Sequence, residues 1–336
     1  MQKIAIIGAG FIGAVHAAAC NNSEHLELTA ISDINESAGR EIAEKYGCKF
    51  FKNAEEMLEQ CEINIVDICV PTFLHKQNIL LAAKYKKHIV CEKPITLTLE
   101  DMDEILATVE KANVKFMVAQ VLRFWPEYVT IKKMYDDGEF GDIKMVYLNR
   151  LAQHPNWTKW HRDPKMGGGG LFDLHLHDID AALYFFGEVS RVYAVGWESN
   201  TGCINHVVST LTFKNGVNVV VEGAFEMTEN YPFTMSMRLV GESKTAEYSM
   251  VAGFNLEEVS SSKRNLLVFE NGKSPEKVNI DVSKDAYQTQ LDYFAKCVEN
   301  DEMLTIITPQ QSREVVKIML TIMESVKTGK VIYVQK

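Results

Sequence analysis

Short apolar runs alternate with segments of helical periodicity along the first third of the chain. The runs at Ile4–Ile7 and Ile65–Val70 are almost continuously apolar, which favours strands buried on both faces of a sheet. Strands that alternate with helices need crossover connections, so the pattern predicts a parallel α/β sheet covered on both sides. The predicted strands are Ile4–Ile7, Leu26–Ser32, Cys48–Phe51, Asn64–Val70, Lys87–Cys91 and Lys115–Ala119, and the predicted helices are Phe11–Asn21, Asn35–Tyr46, Ala54–Gln60, Phe73–Lys84 and Leu99–Ala112.

The rhythm changes after about residue 122, and strand patterns dominate from Val189 onward. Strands that do not alternate with helices predict a mostly antiparallel sheet. Before these strands, the sequence predicts a helix after Pro126, a strand at 143–152 and a helix at about 171–186. We therefore expect an α/β domain over residues 1–122, followed by an α+β domain over residues 123–336.

Local signals mark turns and helix ends in the second domain. Asn-Gly pairs at 215–216 and 271–272 favour type I′ turns between strands. Thr308 and Gln311 form a capping-box pattern, which predicts a helix that begins after Thr308 and ends near Gly329.

Because few helices are available to cover so many strands, an open sheet face remains, and we expect a homo-oligomer, either a dimer or a tetramer.

Composition and charge narrow the possible partners. The 336 residues are 46% hydrophobic and 24% charged, and they carry a net charge of −10. Such a surface repels a phosphate backbone, so we expect no nucleic-acid partner. No apolar run reaches the length of a membrane span, so we expect no membrane partner. Seven widely spaced cysteines without a C-x-x-C pair favour reduced thiols of a cytoplasmic protein over a disulfide frame or a metal site.

The most specific local motif is Gly8-Ala9-Gly10-Phe11-Ile12-Gly13, which closes a predicted strand and opens a predicted helix. Gly8 permits a tight turn, Gly10 lets a pyrophosphate approach the backbone, and Gly13 lets helix and strand pack closely. Asp33 follows the next strand, where an acid accepts hydrogen bonds from the ribose hydroxyls and repels a 2′-phosphate. The motif predicts a Rossmann domain that binds NAD, with NADP less favoured.

Two further segments carry residues suited to chemistry. Lys93 follows the fifth predicted strand in a Glu-Lys-Pro sequence, and ligands of open parallel sheets bind outside the carboxyl ends of the strands. Asp173 and His177 are four residues apart, so they share one face of the predicted helix. A carboxylate beside an imidazole suits proton transfer to or from an alcohol. A zinc site built from His175, His177 and Asp178 is a weaker alternative, since histidines two residues apart do not share a helical face.

These motifs, taken in order, resemble the Gfo/Idh/MocA family of sugar and polyol dehydrogenases. The matching segments are Gly8–Gly13, Pro71–His75, Lys87–Pro94, Arg123–Tyr128 and Gly168–His177. Lys87 departs from the family, which commonly has Gly there. The resemblance implies a Rossmann domain followed by an α+β domain with a large, open, mostly antiparallel sheet that often forms the oligomer interface.

The resemblance also implies roles for individual residues. It makes Lys93, Asp173 and His177 the catalytic set. To the cofactor site, which already includes Gly8, Gly10, Phe11, Ile12, Gly13 and Asp33, it adds Thr72, His75 and Glu92. It places Arg123, Trp160 and Arg162 at the substrate, together with the catalytic set.

The sequence thus predicts NAD-dependent oxidation of a secondary alcohol of a sugar or cyclic polyol. His177 is expected to take the hydroxyl proton, Lys93 to stabilise the developing negative charge on the same oxygen, and Asp173 to orient the pair. Which of Lys93 and His177 carries the proton, which polyol is used and in which direction all stay open. A cofactor-sensing regulator without turnover and an enzyme that cleaves glycosides through transient oxidation remain as alternatives.

Overall fold

The computed structural model describes residues 1–154, 159–253, 262–281 and 285–335, which fall into two compact units. The first unit comprises residues 1–124 and 282–316, and the second comprises residues 125–281 and 317–336. No helix in the described ranges combines the length and the apolar character needed to cross a membrane.

A parallel sheet forms the centre of the first unit. Its described elements up to residue 124 are β1 (Gln2–Ile7), α1 (Phe11–Asn21), β2 (Leu26–Ser32), α2 (Glu36–Tyr46), β3 (Lys49–Phe51), α3 (Ala54–Gln60), β4 (Ile65–Ile68), α4 (His75–Lys84), β5 (His88–Glu92), α5 (Leu99–Ala112) and β6 (Phe116–Ala119). The strand order is β3-β2-β1-β4-β5-β6, and every pair is parallel. The predicted Rossmann-type α/β fold is confirmed, and its strand order reverses between β1 and β4, where such sheets bind ligands.

Local sequence explains why these elements begin and end where they do. The side chains of β4 are buried throughout, as the continuous apolar run predicts. Asn53 accepts hydrogen bonds from the first N–H groups of α3, and Thr98 does the same for α5. Both helices therefore start at the residues predicted from sequence.

The second unit is built on a larger mixed sheet. Its described elements up to residue 281 are α6 (Pro126–Asp136), β7 (Ile143–Leu151), a π-helix (Leu171–His175) that continues into α7 (Leu176–Phe186), and β8 (Val189–Glu198), β9 (Ile204–Phe213), β10 (Asn218–Ala224), β11 (Thr234–Gly241), β12 (Lys244–Val251), β13 (Lys263–Glu270) and β14 (Glu276–Lys277). Its described order begins β14-β13-β12-β11-β7-β10-β9-β8. The pair β7–β10 is parallel and the other pairs are antiparallel, which confirms the predicted mostly antiparallel sheet.

The two faces of this sheet differ in how they are covered. The π-helix and α7 pack against β7, β9 and β10 on one face. On β8, Val192 and Ala194 are buried, whereas the alternating residues Tyr193, Val195 and Trp197 are 43%, 52% and 53% exposed. A row of large apolar side chains thus lies on the opposite face of this sheet from the π-helix and α7.

The prediction of type I′ turns at Asn215-Gly216 and Asn271-Gly272 is wrong. Gly216 and Gly272 have φ of +91° and +77°, but neither Asn215 nor Asn271 has a positive φ. A type I′ turn needs positive φ at both central residues. The Phe213 N–H donates instead to the Val217 carbonyl, so the first of these turns is a three-residue loop with glycine in the left-handed position.

The C-terminal part of the chain contains a helix that the sequence analysis did not predict. Helix α8 (Ala286–Glu299) packs against α1 of the first unit. The Gln288 side chain donates to the Asn22 carbonyl, and the Ser23 hydroxyl donates to Asp292. Residues 282–316 therefore belong to the first unit, whereas the predicted division assigned all of 123–336 to the second.

The final elements are α9 (Pro309–Thr328) and β15 (Ile332–Tyr333), which pairs with β8. The Gln311 N–H donates to the Thr308 hydroxyl over 3.2 Å, and the Thr308 N–H donates to Gln311 Oε1 over 3.1 Å. This reciprocal pair confirms the predicted capping box. Gly329 has φ of +66° just after the helix, as expected for a C-terminal cap.

Candidate functional site

The loop between β1 and α1 has a shape that glycine imposes at two positions. Gly8 has φ of +111°, and a Cβ there would lie 2.5 Å from the Cys69 carbonyl oxygen. A Cβ on Gly13 would lie 2.0 Å from the Gly8 carbonyl oxygen, so no side chain fits where α1 packs on the loop. At Gly10 the space that a Cβ would take is open. Gly8 and Gly13 therefore shape the loop, and Gly10 leaves its backbone accessible.

The N-terminus of α1 is open to an anion. The first backbone hydrogen bond of the helix runs from Ala14 N–H to Gly10 O, so the preceding N–H groups have no partner within the helix. Gly10 supplies no side-chain cap. Phe11 is 44% exposed at this end, while Ile12 is half-buried against the core. The N–H groups of the first turn and the positive end of the helix dipole suit a pyrophosphate.

Asp33 stands beside this loop, at the end of β2. Its Oδ2 accepts the Ala9 N–H over 2.6 Å, and its Oδ1 accepts the Asn35 N–H over 2.6 Å. The nearest following arginine, Arg40, directs its guanidinium to Glu36 on the preceding turn of α2. The carboxylate is thus fixed against the glycine loop, and Arg40 is paired with an acid.

Thr72, His75 and Lys93 follow the carboxyl ends of β4 and β5. The Thr72 hydroxyl is buried and has no hydrogen-bond partner in the described chain. His75 bridges the two connections, because Nδ1 lies 2.9 Å from the Pro94 carbonyl and Nε2 lies 2.8 Å from the Val70 carbonyl. Burial lowers the pKa of His75. The structure thus brings these residues to the same sheet edge as the glycine loop.

A buried group of charged side chains lies beneath this edge. The His16 Nδ1 is 2.7 Å from Asp67 Oδ2, and its Nε2 is 3.0 Å from Glu92 Oε1. The other oxygen of Glu92 accepts the Lys93 N–H over 3.1 Å. His16 and Asp67 are 0% exposed, and Glu92 is 6% exposed. We call Asp67, His16 and Glu92 the buried triad.

Sequence reasoning missed two members of the buried triad. Asp67 sits in the otherwise apolar strand β4, and a carboxylate in a fully buried strand has to find a cation or a donor. The need of a buried carboxylate for a partner was therefore the sequence signal that a polar cluster surrounds Asp67. It does not identify the partner, because His16 is 51 residues away along the chain.

The π-helix of the second unit carries Asp173, and the first turn of α7, which continues it, carries His177. Within residues 171–180, these two side chains are partly exposed and the other eight residues are buried. They therefore share the exposed side of the helix, as the four-residue spacing predicts. The glycine run before the helix is packed tightly, because a Cβ on Gly169 or Gly170 would lie within 3 Å of Cys203 or Asn205. Single π-helical turns are frequent at functional sites.

His161 is a neighbour of Asp173 that the sequence did not single out. Its Nε2 lies 3.9 Å from Asp173 Oδ2, and its ring lies 3.6 Å from that of Trp160. Trp160 in turn fills the space beside Gly167. Trp160 therefore supports the segment that carries His161 and adjoins Asp173, which is compatible with its predicted place near the substrate.

Arg123 and Arg162, which were also predicted to bind substrate, make hydrogen bonds to other parts of the protein. The Arg123 side chain is 3% exposed, and its guanidinium donates to the Ile306 carbonyl over 2.6 Å and to Gln311 over 2.8 Å. These contacts hold the C-terminal segment of the first unit, and the predicted substrate contact of Arg123 stays a prediction. Arg162 is exposed and donates to His154. Residues 155–158, which separate His154 from the segment of Trp160 and Arg162, lie outside the described residues.

The alternative zinc site built from His175, His177 and Asp178 is not supported, because His175 is not available as a ligand. His175 is 0% exposed, its Nε2 lies 2.8 Å from the Ser209 hydroxyl, and burial lowers its pKa to about 3. It packs against Gly223 of β10. His175 therefore faces the core, while His177 faces the other way.

Comparisons with known proteins agree with this arrangement. Residues 2–120 match the family described as "oxidoreductase family, NAD-binding Rossmann fold", and residues 128–247 match the "GFO/IDH/MocA C-terminal domain". The chain is 34% identical to the uncharacterized oxidoreductase YrbE of Bacillus subtilis over 67% of its own length and 68% of that protein. It is 30% identical to myo-inositol 2-dehydrogenase of Thermotoga maritima over 68% of its length and 70% of that protein.

A solved structure shares the fold over nearly the whole chain. It is a candidate NADPH-dependent oxidoreductase from Desulfitobacterium hafniense DCB-2, with a TM-score of 0.89 and 23% identity. The match covers 99% of this chain and 97% of that one. At this identity the likeness concerns the fold.

Proposed function

Because the chain belongs to the Gfo/Idh/MocA family of NAD-binding oxidoreductases, we propose that it oxidises a secondary alcohol of a sugar or cyclic polyol. A relative named myo-inositol 2-dehydrogenase makes cyclic polyols the first substrate class to test. The observation that carries the proposal is the paired partial exposure of Asp173 on the π-helix and His177 on the adjoining first turn of α7, on one side of the continuous helix. An acid and an imidazole presented together suit transfer of a hydroxyl proton.

The residues of the first unit fit NAD. The positive end of the α1 dipole and the accessible backbone of Gly10 suit the pyrophosphate, and Asp33 suits the ribose hydroxyls. The buried Thr72 hydroxyl lacks a partner in the described chain, as expected of a group that meets a ligand. When bound, NAD supplies the hydride acceptor. We propose that NAD is preferred over NADP, because Asp33 repels a 2′-phosphate and Arg40 is paired with Glu36.

The catalytic roles follow from the chemistry of each side chain. In this proposal His177 accepts the hydroxyl proton of the substrate, and Lys93 donates a hydrogen bond to the same oxygen as its negative charge develops. Asp173 orients the imidazole and favours its protonated form. His161, near Asp173, adds a second imidazole to that carboxylate. Lys93 and His177 share the acid/base role as a coupled pair.

The test is NADH production on a panel of inositols, aldoses and sugar acids. Lys93→Met should lower kcat about 10²–10³-fold on the best substrate, because a charged contact to the transition state is lost. His177→Ala should do the same, and Asp173→Asn should cost less, since the base remains. The losses should not add, because the three residues act together. The affinity for NAD should change little in all three variants.

Lys84→Met is the matched control for the lysine substitution. Lys84 is exposed on α4 and pairs with Glu55, so this variant should keep the wild-type rate. A Lys93→Met enzyme as fast as wild type would remove Lys93 from the mechanism. A wild type that turns over no polyol, but whose binding to a partner changes when NAD is added, would identify a regulator. NAD-dependent cleavage of chromogenic glycosides would identify glycoside chemistry.

We also propose a cytoplasmic homodimer or homotetramer. The seven cysteines are free thiols, as in reducing compartments. The exposed row of Tyr193, Val195 and Trp197 on the open face of the second unit's sheet supports association.

A further inference from the structure

The buried triad links strand β4, helix α1 and the start of the Lys93 segment in one chain of polar contacts, in which an ion-pair contact between His16 and Glu92 connects two hydrogen bonds. It runs from Asp67 to His16 over 2.7 Å, from His16 to Glu92 over 3.0 Å, and from Glu92 to the Lys93 backbone N–H over 3.1 Å. The first contact joins β4 to α1, the second joins α1 to the end of β5, and the third joins the end of β5 to the residue that follows it. The last link ends on the backbone of the residue to which we assign charge stabilisation.

The geometry specifies the protonation state of His16. Each ring nitrogen faces a carboxylate oxygen, and a neutral imidazole has a donor on only one nitrogen. Its second nitrogen would present a lone pair to a carboxylate in a site without water exposure. Only the imidazolium has an N–H toward each carboxylate, with a hydrogen bond to Asp67 and an ion-pair contact with Glu92, and two carboxylates with one cation leave the buried triad with one net negative charge.

The electrostatics agree with the geometry. Burial by itself lowers the pKa of His16, but the charge of Asp67, the nearby Cys69 sulfur and the hydrogen bonds to both residues raise that pKa well above the usual range. The titratable groups around the ring lie on α1 itself and on or beside three other elements. They are Asp67 on β4, Cys69 directly after β4, Glu92 and Cys91 on β5, Tyr287 on α8 and Cys20 on α1. Burial raises the pKa of the Cys69 thiol to about 12, so the carboxylates are the anions that face His16.

We propose that His16 is a positioning residue for Lys93: as a buried imidazolium held between Asp67 and Glu92, it keeps the Glu92 carboxylate on the Lys93 N–H and so fixes the backbone from which the Lys93 side chain extends. The role in turnover rests on the proposed dehydrogenase function. The charge state of His16 does not, and it is tested separately.

A metal ion is the competing explanation for this cluster. His16, Asp67 and Cys69 place one donor atom each within 4.8 Å of the others. Coordination would require the thiol to ionise and the imidazole to lose its proton. The hydrogen bond of His16 to Asp67 and the ion-pair contact of its other ring nitrogen with Glu92 favour the proton instead. Elemental analysis of the purified protein therefore belongs to the test.

The first arm of the test measures the charge directly. In full-length protein labelled with ¹⁵N-histidine, the His16 ring should show two N–H groups at pH 7 and retain both at pH 9, with Asp67→Asn and His16→Gln used for assignment. A neutral tautomer at pH 7, or one equivalent of zinc in the protein, would overturn the proposal. This arm needs no substrate.

The second arm measures turnover by NADH production on the best substrate. His16→Gln should lower kcat about 10–100-fold, as small misplacements of reacting groups do, with little change in the KM for NAD. Glu92→Gln should cause a similar loss, and the double variant should be no worse than Glu92→Gln alone, because His16 acts through Glu92. Cys20→Ala, buried one helical turn further along α1, is the packing control and should keep the wild-type rate.

The pH profile separates charge from packing. In Asp67→Asn the imidazolium loses its counter-charge, so the His16 pKa falls and the proton leaves as the pH rises. The rate of this variant relative to wild type should therefore be nearly preserved at pH 6 and fall progressively toward pH 9. A loss that is equal at every pH, or additive losses in the double variant, would mean that the buried triad only packs the core. An inactive wild type with an intact His16 imidazolium would instead overturn the proposed dehydrogenase function and leave the charge state established.

Discussion

The glycine loop allows stability and cofactor binding to be separated by two substitutions that add the same methyl group. In Gly13→Ala the new Cβ would lie 2.0 Å from the Gly8 carbonyl oxygen. Carbon and oxygen pack at about 3.5 Å, so the loop and helix must part by more than about 1 Å. Overpacking of this kind costs about 1–3 kcal/mol, and a backbone neighbour that cannot rotate away favours the upper half of that range. In Gly10→Ala the same methyl group meets no protein atom within 4 Å.

The expected results follow from that contrast. Gly13→Ala should lower the Tm, by about 2–4 °C for each kcal/mol in a unit of this size, and should weaken NAD binding about 10–100-fold because the loop has moved. Gly10→Ala should keep the wild-type Tm and still weaken NAD binding, because its methyl group occupies the approach of the pyrophosphate. Differential scanning calorimetry measures the first quantity and isothermal titration with NAD⁺ the second.

Gly47→Ala serves as the control for replacing a glycine of positive φ. Gly47 has φ of +69° in open space after α2, so the change should cost about 1 kcal/mol of stability and leave the NAD affinity unchanged. If Gly10→Ala binds NAD⁺ as tightly as wild type, the loop does not hold the pyrophosphate and the assigned cofactor site is wrong.

Three further outcomes can be checked independently. Titration with both cofactors should show tighter binding of NAD⁺ than of NADP⁺, and Asp33→Ser should narrow or reverse the ratio, since it removes the charge that repels a 2′-phosphate; a wild type that prefers NADP⁺ contradicts this role. Light scattering should show a dimer or tetramer at micromolar concentration, and Trp197→Glu should shift it toward monomer, because a charge then replaces an apolar side chain on the exposed row; a monomeric wild type contradicts the assembly. Asp178→Ala should destabilise the protein by about 3–5 kcal/mol in chemical denaturation, because it leaves the buried Arg150 guanidinium without its ion-pair partner; a loss below 1 kcal/mol would show that Arg150 finds another partner.

Signals that depend on a few adjacent residues predicted the structure well. The glycine loop, the Thr308–Gln311 capping box and the helix Leu99–Ala112 appear where the sequence places them. Each is specified by hydrogen bonds or steric limits within one or two turns of chain. The same locality explains why the exposed pair Asp173 and His177 could be anticipated from spacing alone.

Features that depend on distant partners were missed or mispredicted. The side of α8 that packs against α1 is defined by a contact across more than 260 residues, as the Gln288–Asn22 hydrogen bond illustrates. The buried triad joins residues 51 and 76 positions apart, and although Asp67 in an apolar strand signals a buried partner, nothing near it in sequence identifies that partner as His16. The Asn-Gly turns failed for another reason, since the dipeptide favours one loop geometry but the strand pairing on either side decides the loop length.

The return of residues 282–316 to the first unit sets an order for folding during synthesis. After residue 124 leaves the ribosome, roughly 160 further residues must be made before α8 exists, which takes about 8–30 s at ordinary translation rates. Throughout that interval α1 lacks the helix that covers it, and the nascent nucleotide-binding sheet carries an uncovered apolar surface. A chain cut after residue 122 would keep that surface permanently, so it should need a chaperone or aggregate, even though it retains every strand of the sheet.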